Sequence, residues 1–222
     1  MKSAFGDRFN HDRRAATYDE NVRNESNPVR TGYRSLLNSI ASRVRSGSRV
    51  LELGCGTGNL TMMLQASEHT TAVDISAAMM EVAKTKTVDQ LVSYCQDDIL
   101  TFVEQATEPY DYVLSTYTLH HLTPAEKSVV FARCYELLNP GGVALFGDLM
   151  FEDADARLSL REQFRQQGID WLLDIMNKEF YWDIGDSLSD LQRIGFACAT
   201  ERFSNLSWVI QATKSESATT QS

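Results

Sequence analysis

The chain has 222 residues, 43% of them hydrophobic and 23% charged, which suits a soluble domain with a sizeable core. Twelve glycines and four prolines are too few for a fibrous or low-complexity chain. A net charge of −9 argues against general nucleic-acid or membrane-surface binding, and no run approaches the roughly 18 apolar residues of a membrane span. The charge is uneven: residues 1–49 carry +5 and the remainder −14. Attraction between two parts of one fold explains that split. So does an anionic substrate held by Arg13, Arg14, Arg23, Arg30 and Arg34.

In chain order, Met1 to Glu25 is polar, with Phe5, Phe9, Tyr18 and Val22 as scattered anchors. Asn27-Pro28 marks a helix start, and the spacing of Val29, Tyr33, Leu36, Leu37, Ile40 and Val44 predicts a helix to Val44. After the break at Ser46-Gly47-Ser48, strand and helix patterns alternate. Strands are predicted at 49–53, 70–73, 91–95, 110–115 and 143–146, and helices at 59–66, 76–84 (capped by Ser76) and 124–138 (opened by Pro124 and closed by Asn139-Pro140-Gly141-Gly142). Helices at 154–167 and 184–194 follow, and then strands at 196–203 and 206–212. Alternation implies parallel strands with helices on both sheet faces, finished by an antiparallel hairpin. Residues 1–47 are expected to form a helical cap and 48–214 the main domain. An aromatic-rich insert at about 151–182 and a disordered tail at 215–222 complete the layout. Cys55, Cys95, Cys134 and Cys198 show no metal-type pairing and read as reduced thiols of a cytoplasmic protein.

The strongest signal is Val50-Leu51-Glu52-Leu53-Gly54-Cys55-Gly56-Thr57-Gly58-Asn59-Leu60, a glycine turn between a strand and a helix pattern. Glycines there let a backbone approach a ligand closely. A dinucleotide turn needs G-x-G-x-x-G, but here the third glycine, Gly58, comes one residue early and Asn59 holds the dinucleotide position. Asp74 ends the second strand, where a carboxylate accepts ribose hydroxyls in several cofactor classes. The G-x-G-x-G pattern behind Glu52 resembles the S-adenosylmethionine motif of class I methyltransferases.

That resemblance implies a Rossmann-like three-layer α/β/α sandwich around a mostly parallel seven-stranded sheet. It implies that Gly54, Cys55, Gly56, Thr57 and Asn59 wrap the amino-acid end of the cofactor, and that Asp74 takes the ribose, with Ile75 and Met79 beside it. An acid–apolar pair takes the adenine. Asp98-Ile99 fits that role better than Asp97-Asp98. Ser115, Thr116, Tyr117 and His120 are expected beneath the methyl donor. Neighbouring residues point in different directions, and no Cys, Asp or His lies at ligand spacing from His120 and His121, so no metal set is read there. His120 is preferred for the pocket. Further segments are similar to small bacterial methyltransferases of the YrrT type: Ala15 to Glu20, Ser115-Thr116-Tyr117, His120 to Thr123, Glu126-Lys127, Asn139 to Gly142, Glu179-Phe180-Tyr181 and Trp208 to Lys214. That group carries Glu where Asp74 stands and Gly where Asp97 stands.

A sulfonium methyl is already activated, so positioning carries much of the catalysis, and a base helps only a weakly acidic acceptor. The base candidates are His120, Asp148 and Tyr18. The leader (Phe9, Tyr18, Arg23) and the 151–182 insert form the expected lid, with Tyr181 or Trp171 and Arg23 facing the acceptor. The expected activity is methyl transfer to a small molecule by a monomer or homodimer without membrane attachment. An RNA or protein methyltransferase, an NAD-linked oxidoreductase and a non-catalytic binding module are the competing readings.

Overall fold

The computed structural model describes residues 1–6 and 10–216. The expected Phe9 anchor and residues 217–222 of the expected tail lie outside them. Seven strands form the main sheet: β1 (Arg49–Leu53), β2 (His69–Asp74), β3 (Val92–Gln96), β4 (Tyr110–Thr116), β5 (Leu138–Phe151), β7 (Phe196–Arg202) and β8 (Ser207–Lys214). Their spatial order is β3-β2-β1-β4-β5-β8-β7, and the two-residue β6 (Trp182–Asp183) pairs with the end of β5. β1 to β5 run parallel. β8 is antiparallel to both β5 and β7. The central strands are buried on both faces, so β1 reads as Val50-Leu51-Glu52-Leu53 rather than as an alternation.

Two cores sandwich the sheet. On one face α4 (Ile99–Gln105), α5 (Pro124–Leu137) and α8 (Ile184–Ile194) bury Leu100, Val103, Phe131, Cys134 and Leu191 with Leu51, Leu53 and Val113. On the other, α2 (Tyr33–Arg43) with α6 (Ala154–Gln166) and α7 (Asp170–Lys178) buries Leu36, Ile40, Phe164 and Leu172 against Val50, Leu114, Leu145 and Val209. The helix starts obey capping chemistry. Ser76 caps α3 (Ala77–Lys86), Asp98 caps α4, and Thr123 with Glu126 closes a capping box on α5 behind Pro124. The short α1 (Tyr18–Arg23) follows a 3-10 turn at Asp12–Thr17.

Two expectations are corrected. The helix predicted at 59–66 is only a 3-10 turn at Thr61–Met63, where the Thr61 hydroxyl turns inward to bond Glu52. The predicted 28–44 helix begins only at Tyr33, after Gly32 with φ 82°. Both α4 and α7 went unpredicted, being short and flanked by loop-like sequence.

Candidate functional site

Every switch from strand to helix on β1, β2, β3 and β4 opens at one sheet edge, and there the structure has a cavity. Gly54 and Gly56 line its floor and Gly58 follows in the same turn, with φ of 77°, 53° and 75°, a region L side chains avoid. The three do different jobs. A Cβ on Gly54 would fall 2.2 Å from Thr118 Cγ2, and one on Gly58 would fall 2.8 Å from Ala83 Cβ, so both let neighbouring segments close in. A Cβ on Gly56 would meet nothing within 4 Å and would stand in the open cavity, which leaves that space for a ligand.

The acids around the turn are held by specific donors. The Asp74 carboxylate accepts from Gly56 N at 2.7 Å and Ser76 N at 2.8 Å, while burial raises its pKa. Glu52, 1% exposed, accepts from Thr61 Oγ1 at 2.7 Å; burial, reinforced by the Asp74 charge, pushes its pKa up to about 8. Asp19, from α1, reaches down onto the turn. It accepts from Thr57 Oγ1 at 2.7 Å and Asn59 Nδ2 at 3.0 Å and pairs with Lys86 at 2.5 Å. Burial disfavours the Asp19 carboxylate, but these donors outweigh it and hold its pKa down.

At the far end of the cavity, Asp98 both caps α4 and receives the leader. Ser3 donates to it from its backbone N–H at 3.1 Å and from its hydroxyl. Ala4 N donates to Glu126 at 2.6 Å, and Asp12 accepts from Ser76 Oγ and Ala78 N on α3. The leader thus lies across the mouth, with Ser3, Gly6, His11 and Tyr18 in the wall. Ser3 carries no sequence signal for this contact.

At the opposite end, Tyr117 adopts φ 49°, an outlier for a bulky residue. Its hydroxyl donates to Ser207 Oγ at 2.9 Å, and Ser207 donates on to Thr31 O at 2.7 Å. Arg30 stands over the Tyr18 and Tyr117 rings, 5.7 and 5.5 Å from their centroids.

Of the residues expected at the cofactor, Gly54, Cys55, Gly56, Thr57, Asn59, Asp74, Ile75, Met79, Asp98, Ile99, Thr116 and Tyr117 line the cavity. Asp97 does not; its carboxylate accepts from Asp98 N. Ser115 turns away to donate to Leu53 O. His120 is also behind the wall, because a 3-10 turn at Leu119–His121 points it inward and presents His121 instead. His120 Nδ1 lies 2.5 Å from Asp148, whose carboxylate also accepts from His120 N and Trp182 Nε1. Two of the expected base candidates are therefore spent on each other, whereas Tyr18 faces the cavity.

Of the expected acceptor residues, Tyr181 is buried beside His120 and lines a second cavity with Lys127 and Arg157. Trp171 is 49% exposed, because α7 buries Leu172, Leu173 and Met176 instead. Arg23 is exposed at the end of α1, which buries only Val22. Beside the two histidines, for which sequence spacing offered no Cys, Asp or His partner, the structure places Glu179. Its carboxylate lies 4.0 Å from His120 Nε2 and 3.9 Å from His121 Nδ1, a juxtaposition that no sequence spacing reveals. Burial, then His120, His11, Arg30 and Lys127, keep the His121 pKa well below the ordinary range.

Comparison with known proteins agrees with this geometry. Residues 50–142 match the model of a methyltransferase domain family. An uncharacterized methyltransferase of Geobacillus kaustophilus is 34% identical over 205 residues, covering 92% of each chain. Among solved structures, DhpI in complex with S-adenosylhomocysteine superposes with a TM-score of 0.68 at 19% identity, covering 92% of this chain and 93% of that one. The N-methyltransferase NodS from Bradyrhizobium japonicum, also bound to S-adenosyl-L-homocysteine, gives 0.63 at 17% identity, covering 86% and 89%. A cradle that only a side-chain-free Gly56 leaves open, between carboxylates at two strand ends, fits an adenosine-bearing ligand. The chain belongs to the class I methyltransferases, enzymes whose methyl donor is S-adenosylmethionine.

Proposed function

We propose that this enzyme methylates a small molecule inside a compartment closed by residues 1–47 and the 151–182 insert. The observation that carries this reading is the roofing of the cavity: the leader bonds to Asp98, Glu126, Ser76, Thr57 and Asn59 and so lies across the mouth. The acidic body also disfavours RNA. Incubation with labelled S-adenosylmethionine and fractionated cell extract tests it. Label should appear in the ultrafiltered small-molecule fraction, and transfer to RNA or protein would overturn it.

In this reading Gly54, Cys55, Gly56, Thr57 and Asn59 hold the amino-acid end of the cofactor. Asp74 accepts the ribose hydroxyls, Ile75, Met79 and Ile99 flank the rings, and Asp98 accepts the adenine amino group. The bound sulfonium supplies a methyl that the acceptor's lone pair attacks in line, the S–CH₃ bonding pair returning to sulfur. The chain's own residues orient the acceptor and exclude water, which is worth several kcal/mol. Tyr18, Thr116, Tyr117 and His121 line that end. Neutral at ordinary pH, His121 accepts a hydrogen bond from an acceptor that ionises readily; its lowered pKa makes it a weak base. Asp148 holds His120, and His120 O accepts from Phe180 N at 2.7 Å, so the pair positions the insert against the wall. Lys127 ties the same junction by donating to Leu122 O and Phe180 O.

A further inference from the structure

Of the five arginines named above as anion candidates, Arg13, Arg14, Arg23 and Arg34 are exposed and Arg30 is half-buried. Its guanidinium sits between the Tyr18 and Tyr117 rings, with Tyr33 and Tyr181 also bearing on its charge. Three of those four tyrosines line the cofactor cavity. Among the described residues Arg30 makes no ion pair, and its side chain has no hydrogen-bond acceptor.

The nearby acids are committed elsewhere. Asp19 is taken by Thr57, Asn59 and Lys86, Glu25 by Gly32 N and Arg34 N, and Asp148 by His120 and Trp182. Glu179 lies against the two histidines. A half-buried guanidinium with no protein acceptor keeps its five N–H donors available to a ligand. Ring faces attract its charge but do not satisfy its N–H groups. The surrounding hydroxyls are mostly spent, Tyr117 on Ser207 and Tyr33 on Asn59. The buried Tyr181 hydroxyl has no hydrogen bond of good geometry. His11 and His121, whose pKa values are held low by burial and neighbouring cations, add no charge at neutral pH. Among the described residues, Arg30 is the cation set against the Tyr18 and Tyr117 rings of the cavity wall, just outside the residues that line it.

We propose that the methyl acceptor carries an oxyanion, a carboxylate or a phosphoryl group, that docks on Arg30 within this tyrosine enclosure. The inference rests on the small-molecule reading above and narrows it. A planar guanidinium engages either group through two parallel N–H···O bonds, which fixes the acceptor's direction relative to the methyl. The step itself is unchanged, and the anion serves as a handle.

The test uses the full-length protein saturated with S-adenosylhomocysteine and titrated with benzoate, phenylphosphonate, benzamide and benzylamine. Benzoate or phenylphosphonate should bind at least about tenfold more tightly than neutral benzamide or cationic benzylamine, and the tighter of the two anions identifies the group. Arg30→Gln should abolish that preference while S-adenosylhomocysteine affinity and melting temperature hold, and Arg30→Lys should retain part of it. Equal binding of benzoate and benzamide, no binding of either anion, or an unchanged preference in Arg30→Gln would overturn the proposal while leaving the methyltransferase reading intact. Failure of S-adenosylhomocysteine itself to bind would remove both.

Discussion

Glu52 is a carboxyl in the middle of the sheet, and its replacement by glutamine gives a sharp test of the electrostatics beneath the glycine turn. Burial lifts its pKa from 4.5 to about 8, with one hydroxyl donor, Thr61, opposing the lift. The native state therefore holds a proton that the unfolded chain releases. The stability this confers is full below about pH 4.5, falls as pH rises, and is gone above about pH 8. A displacement of that size corresponds to roughly 5 kcal/mol as an upper bound. Glutamine matches the shape, can still accept from Thr61, and does not titrate. Thermal melts of Glu52→Gln and the parent from pH 5 to 9 should diverge steadily, the variant gaining up to roughly 10 °C at the alkaline end. Parallel curves would show that Glu52 is ionised in the folded protein and would refute the reasoning.

Asp74→Ala should weaken S-adenosylhomocysteine binding by about 1–3 kcal/mol in calorimetric titration, because ribose donors and two backbone N–H groups lose their acceptor. Gly56→Ala should lose cofactor binding with only about 1 kcal/mol lost from the fold, whereas Gly54→Ala should lower the melting temperature sharply, its Cβ meeting Thr118 at 2.2 Å. Ser3→Ala should tighten S-adenosylhomocysteine binding by up to about 1 kcal/mol, since its hydroxyl occupies Asp98, and an unchanged constant would separate the leader from the adenine end.

Most of the cavity lining was legible in the sequence because its information is local. Glycine spacing, a strand-end acid and an N-cap all lie within a few residues of the atoms they position. The surroundings of Arg30 and Glu179 were not, because tertiary contacts assemble them. Arg30 was one of five similar arginines until the fold left four in solvent, and Glu179 reaches the histidines from nearly sixty residues away. Which histidine of the pair faces the cavity depends on the phase of a three-residue turn, Leu119–His121, that periodicity cannot set. The parallel strands were read from their apolar runs, while α7 was missed although it buries Leu172, Leu173 and Met176, because nine residues give little periodicity to count.

The hydroxyl relay from Tyr117 through Ser207 to Thr31 has a mechanical consequence. A tyrosine at φ 49° stores of order 1–3 kcal/mol, and it stays there because its ring is tethered to the last strand, which in turn grips the loop before α2. The strained tyrosine, the last strand and the loop before α2 are thus tied into one hydrogen-bonded chain, so cutting it at Ser207 should relax all three together.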